Sequence, residues 1–94
     1  MIELKGYLLD EYLKDIPNLI VFFGSKTCPL CQIVKEKVKI IGKNWDGRFI
    51  YVEGDIFDSI CDEYDIETYP TLIKFIKGKE VKRVTGDKVQ TLFK

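Results

Sequence analysis

Cys28 and Cys31 are the residues of this sequence whose type and spacing point most directly to chemistry. Two thiols with two residues between them can open and close a disulfide if the intervening chain is helical. Residues i and i+3 then share a face, with Cα atoms roughly 5 Å apart, within reach of an S–S bond. The same spacing could also supply half of a tetrahedral zinc site. The chain has no histidine and one further cysteine, Cys61, so the usual four-ligand Cys/His set cannot be completed within it. No metal is expected, and a reversible dithiol is the chemistry open to the pair.

The flanking residues say how the pair is held. Leu19 to Phe23 is an unbroken apolar run between Pro17-Asn18 and Gly24-Ser25, the pattern of a strand covered on both faces. Beyond Cys31, Leu30, Ile33, Val34, Val38 and Ile41 keep the helical period among charged residues, and Gly42 is the expected stop. Cys28 then falls at the N-cap and Pro29 at the first helical position, where proline is tolerated. The N–H groups of Leu30 and Cys31 are the natural donors to the Cys28 sulfur. The positive end of the helix dipole and the cation of Lys26 both favour a thiolate there, which makes Cys28 the expected nucleophile and Lys26 the residue that tunes it.

A chain of 94 residues, 46% apolar and 32% charged, suits one domain spanning residues 1 to 94 with one core. Fifteen basic and fifteen acidic residues cancel without a concentrated lysine run, which argues against nucleic acid as a partner. The longest apolar run is the five-residue strand, far short of a membrane span, and no basic segment followed by an apolar one opens the sequence. The expected compartment is the reducing cytoplasm, where such a cysteine pair turns over and is not a permanent staple.

Met1 to Lys5 reads either as a short strand or as an irregular lead-in. Tyr7 to Ile16 sets Leu8, Leu9, Tyr12, Leu13 and Ile16 on one side of a helix that Pro17-Asn18 ends. Trp45, in the loop after the cysteine helix, is expected to cover the core edge. Phe49 to Val52 is a strand by its β-branched and aromatic content, and Gly54-Asp55 closes it. Ile56, Ile60, Cys61 and Tyr64 mark a short helix capped by Asp55 or Asp58, with Cys61 as a small buried residue. Thr71 to Ile76 and Val81 to Thr85 form a hairpin across Lys77-Gly78-Lys79-Glu80. Gly86-Asp87 then opens a final helix of barely two turns with Val89, Leu92 and Phe93 inward.

In this order of elements the chain resembles the thioredoxin superfamily over nearly all of its length. Val21 to Cys31, Val-Phe-Phe-Gly-Ser-Lys-Thr-Cys-Pro-Leu-Cys, is similar to that family's strand and active-site turn. Tyr64 to Thr71 looks like the approach to its cis-proline, and Phe75 to Val81 with Gly86 like the hairpin of its thioredoxin branch. The resemblance implies an α/β thioredoxin fold, a central mixed β-sheet flanked by helices on both faces. It also implies that Pro70 is cis and faces the disulfide, and that the Tyr69 backbone pairs with an extended substrate. Thr27, Pro29, Tyr69 and Pro70 would then form the substrate contact. Sequence alone says of Pro70 only that a proline begins a strand.

Four departures stand out. Pro-Leu lies between the cysteines in place of Gly-Pro, Phe22 replaces the family's buried aspartate, Tyr51 replaces that aspartate's lysine partner, and Thr27 replaces the tryptophan before the nucleophile. The expected activity is that of a monomeric thiol-disulfide oxidoreductase without cofactor. Cys28 attacks a protein disulfide, Cys31 resolves the mixed disulfide, and an upstream reductase or glutathione restores the dithiol. Two alternatives remain: a glutaredoxin-like, glutathione-dependent enzyme, suggested by the Pro-Leu dipeptide, and a non-catalytic module that holds peptides at Tyr69-Pro70.

Overall fold

Five apolar side chains in a row can be buried together only when both faces of their strand are covered, and Leu19, Ile20, Val21, Phe22 and Phe23 are all fully buried. The computed structural model of the chain describes residues 2–4 and 8–93, the side chains of Gln90 and Phe93 excepted. The expected roles of Met1, Lys5, Tyr7 and the Phe93 side chain lie outside the described residues. In chain order the elements are β1 (Ile2–Glu3), α1 (Leu9–Asp15), β2 (Asn18–Gly24), α2 (Pro29–Ile41), β3 (Arg48–Glu53), α3 (Asp58–Glu63), β4 (Thr71–Ile76) and β5 (Lys79–Thr85). Short 3₁₀ segments follow α2 at Gly42–Asn44 and close the described chain at Val89–Phe93.

Among the described residues the strands form one five-stranded sheet in the order β1-β3-β2-β4-β5. β2 is central, parallel to β3 and antiparallel to β4, and its register sets Phe22 beside Tyr51 on one side and Leu72 on the other. Because side chains alternate along a strand, Leu19, Val21 and Phe23 pack with Leu9, Phe57, Ile60 and Cys61 of the α1 and α3 side. Ile20 and Phe22 pack with Cys31, Val34 and Val38 of α2 and with Val89 and Leu92. The mixed sheet with helices on both faces is thus the expected architecture, and Ile2–Glu3 is a two-residue edge strand paired with Ile50 and Tyr51.

Five local expectations are corrected. The N-cap of α3 is Phe57, with no side-chain cap, because the Asp55 carboxylate is engaged by Ser25 and Asp58 already lies inside the helix. α1 ends at Asp15 because Ile16, which precedes a proline, is extended. Gly42 adopts ordinary right-handed geometry, so α2 tightens into a 3₁₀ turn through Asn44 before Trp45, which packs edge-on against Phe49 at 5.0 Å. The last helix is a 3₁₀ segment, although it buries Val89 and Leu92 as expected. Its hairpin neighbour turns on Lys77 and Gly78 alone, both at positive φ (51° and 81°), the pairing that suits a two-residue connection.

Candidate active site

β2 delivers the chain to the site at its carboxyl end. Gly24 there accepts a backbone bond from Gly54 at 2.7 Å, which ties the ends of β2 and β3 together. The next residue, Ser25, is buried. Its hydroxyl donates to Asp55 Oδ2 at 2.6 Å and lies 3.0 Å from the Thr27 hydroxyl, while its carbonyl accepts from the Cys28 N–H at 3.2 Å. These bonds fix the loop that enters α2.

Cys28 is the N-cap residue of α2, extended at φ −96° and ψ 107°, with Pro29 in the first turn. Its sulfur accepts from the Cys31 N–H at 3.1 Å. The same N–H also reaches the Cys28 carbonyl at 3.1 Å, so the sulfur shares a first-turn donor in the place that a capping side chain would take. The Cys28 thiol also donates to the Tyr69 carbonyl at 3.9 Å. Cys28 is half-buried, Cys31 is buried, and both are free thiols. Burial raises the Cys31 thiol from its ordinary 9.0 to about 12, with the hydrogen bond to Cys28 adding to the effect. Its surroundings explain why: Phe22, Val34 and Val38 share its cluster.

The facing wall is the segment before β4. The Tyr69–Pro70 peptide bond is cis, and Pro70 is buried. Arg83 of β5 reaches across to this segment, donating to the Tyr64 carbonyl at 2.9 Å and the Asp65 carbonyl at 3.4 Å while paired with Glu80 at 2.9 Å. The Tyr69 hydroxyl donates to the buried Cys61 sulfur at 3.8 Å. Gly54 makes room for that hydroxyl: a Cβ there would lie 2.0 Å from it. Tyr69 therefore touches the half-buried Cys28 thiol through its carbonyl and the buried Cys61 through its hydroxyl.

The expected site residues come together at this end of the sheet. Thr27 and Pro29 are exposed on either side of Cys28, and Tyr69 and Pro70 stand opposite. Lys26 is also exposed, and its backbone N–H donates to Glu53 Oε2 at 3.0 Å. Cys61 is the small buried residue expected. Sequence reasoning missed Ser25, Asp55 and Glu53. Glu53 carried a usable signal, being a carboxylate in line with the buried run Ile50 to Val52. Among the described residues no group of three or more histidine, cysteine, aspartate or glutamate side chains could hold a metal.

Comparison with known proteins fits this geometry. The thioredoxin family model matches residues 2–94. Thioredoxin H8 of Arabidopsis thaliana is 32% identical over 82 residues, covering 85% of this chain, which spans only 55% of that relative. The chain spans about half the length of several of the curated relatives it matches. Thioredoxin of Mycoplasma genitalium is 32% identical over 79 residues, 83% of this chain and 78% of its own. Among solved structures, Schistosoma mansoni thioredoxin superposes with a TM-score of 0.89 at 25% identity, covering 98% of this chain and 88% of its own. Thioredoxin of Trypanosoma brucei brucei reaches 0.90 at 17% identity, with 98% and 83% covered. The family match takes in every element from β1 to the last 3₁₀ segment, and this chain belongs to the thioredoxin family.

Proposed function

We propose that this chain is a thiol-disulfide oxidoreductase that reduces protein disulfides through Cys28 and Cys31. The observation that carries the reading is the Cys31 N–H aimed at the Cys28 sulfur at 3.1 Å, with the second thiol buried directly behind a half-exposed first one. A thiolate on Cys28 gains that amide and the helix terminus as stabilising partners. Its attack breaks the substrate S–S bond, forms a Cys28–substrate disulfide and expels one substrate thiolate. Cys31 then loses its proton and attacks Cys28, and the second substrate sulfur departs with the electron pair. The chain is left with a Cys28–Cys31 disulfide and needs an outside dithiol or two glutathione thiols to reopen it.

Thr27 and Pro29 on one side and Tyr69 and Pro70 on the other form the substrate contact, and Lys26 favours the thiolate by its charge. The chain works as a monomer in the reducing cytoplasm, where its disulfide is reopened after each turnover. No helix among the described residues is long and apolar enough to cross a membrane. Insulin reduction is the test: turnover by the wild type and none by Cys28→Ser is the expected outcome. No activity in either protein would leave a peptide-holding module as the correct reading, and equal activity in both would show that Cys28 is not the nucleophile. Running the same assay with glutathione, and separately with a flavin-dependent thioredoxin reductase, identifies the electron donor.

A further inference from the structure

The cycle just described requires Cys31 to give up a proton in surroundings that hold on to it. Cys31 is 1% exposed, and the ring on β2 beside it, Phe22, accepts nothing. The buried polar side chains among the described residues are Ser25, Glu53 and Thr71, and Glu53 alone of these is a carboxylate. It ends β3, opposite Gly24 at the mouth of the active-site loop. Both its oxygens are held: Oε1 accepts from the Tyr51 hydroxyl at 2.7 Å and Oε2 from the Lys26 N–H at 3.0 Å.

Tyr51 bonds this carboxylate and packs in the same cluster as the cysteine, with no hydrogen bond between its hydroxyl and the Cys31 sulfur in the resting dithiol. Its ring belongs to the same buried cluster as Cys31 and lies 5.4 Å from the Phe22 ring. Its hydroxyl, already donating to Glu53, keeps a lone pair free to accept. A cleft of about 280 Å³ lined by Lys26, Gln32, Lys35, Tyr51 and Glu53 opens the pair to solvent beside α2. Two hydrogen bonds offset part of the cost of burying this carboxylate, and among the described residues it forms no ion pair. The charged and titratable groups around it are Glu3 of β1, Lys26 and Asp55 of the loops, Cys28, Cys31 and Lys35 of α2, Tyr51 of its own strand, and Tyr69. Lys35 lies 4.2 Å above the Tyr51 ring and offsets part of the negative charge.

We propose that Glu53, working through the Tyr51 hydroxyl, takes up the proton that Cys31 releases when it attacks the mixed disulfide. The inference rests on the oxidoreductase reading above and assigns its second step. The Cys31 S–H bond breaks as the Cys31–Cys28 bond forms, and the Cys28–substrate bond breaks with its electron pair leaving on the substrate sulfur. The thiol proton passes to the Tyr51 oxygen, across one water or after the two side chains close up in the mixed disulfide, while the Tyr51 proton passes to Glu53, which later loses it to water in the cleft. An acid on β3 thereby supplies the acceptor that Phe22 denies on β2.

Stopped-flow measurement of the two steps separately, with a fluorescent peptide disulfide as probe, tests this. Glu53→Gln keeps an oxygen for Tyr51 but cannot take a proton. Resolution near pH 7 should slow by roughly tenfold or more, and its rate should become proportional to hydroxide concentration, while mixed-disulfide formation changes far less. Tyr51→Phe should reproduce the slower resolution, and Glu53→Asp should recover part of it. If Glu53 acts only by its charge, Glu53→Gln removes a repulsion on the Cys31 thiolate and resolution accelerates, which overturns the proposal. Unchanged resolution with an unchanged pH profile overturns it as well. Should Glu53→Gln fail to fold, Tyr51→Phe and Glu53→Asp decide by the same two criteria. Failure of the oxidoreductase reading itself looks different: the wild type would then form no mixed disulfide at all.

Discussion

Cys28 and Cys31 are three residues apart, yet burial treats them differently, and that difference divides the two steps between them. Cys31 is raised to about 12 by the apolar cluster around it, so near neutral pH it is overwhelmingly a thiol. Iodoacetamide with peptide mapping should therefore label Cys28 at pH 7 and reach Cys31 only in strongly alkaline or unfolding conditions; equal labelling at pH 7 would contradict the assignment of roles. Phe22 is central to this environment, fully buried in one cluster with Cys31 and with its ring 5.4 Å from that of Tyr51. Phe22→Ala should cost roughly 3 to 5 kcal/mol by urea unfolding, the usual loss for a buried ring. It should also bring Cys31 labelling to lower pH as water enters.

The element that presents Tyr69 and Pro70 is the segment between α3 and β4, which is held from outside by Arg83. The Arg83–Glu80 pair is partly exposed and contributes little to stability by itself. Its placement matters more, since the guanidinium ties two carbonyls of this segment to the edge strand. Arg83→Ala is expected to change global stability by about 1 kcal/mol or less while speeding amide hydrogen exchange across residues 64–70 and lowering insulin reduction severalfold. A variant with normal exchange there and normal activity would show that the segment holds itself.

At the scale of the whole molecule, burial of titratable groups sets the response to alkali. Cys31, Cys61, Tyr51, Tyr64 and Tyr69 are all raised above their ordinary values, each by desolvation first. The folded chain therefore keeps protons that the unfolded chain would release, so unfolding gains from each ionisation as pH rises. The sign follows: stability is fully present below about pH 9 and falls as pH climbs toward about 12. Thermal melts of the reduced protein from pH 7 to 11 should be flat up to about pH 9 and then decline, with a shallower decline for Cys31→Ala. A melting temperature constant to pH 11 would contradict this.

What the sequence determined by itself was everything governed by short-range periodicity and covalent spacing. The two-faced burial of Leu19 to Phe23, the helix that opens at Cys28, a hairpin turning at Gly78 and the inward Val89 and Leu92 follow from alternation, helical period and glycine content, though the turn is two residues shorter than the sequence suggested. Phe22 and Tyr51 could be picked out in the sequence, and pairing of β2 with β3 makes them neighbours. The tertiary structure decided what depends on contacts between residues distant in sequence. Asp55 looked like a helix cap and instead binds Ser25, 30 residues earlier. Glu53, which drew no reading in the sequence, ends β3 and lies buried against Lys26 and Tyr51. A polar side chain of either kind is satisfied by whichever partner the packing brings within hydrogen-bond distance, and only the assembled sheet fixes that partner.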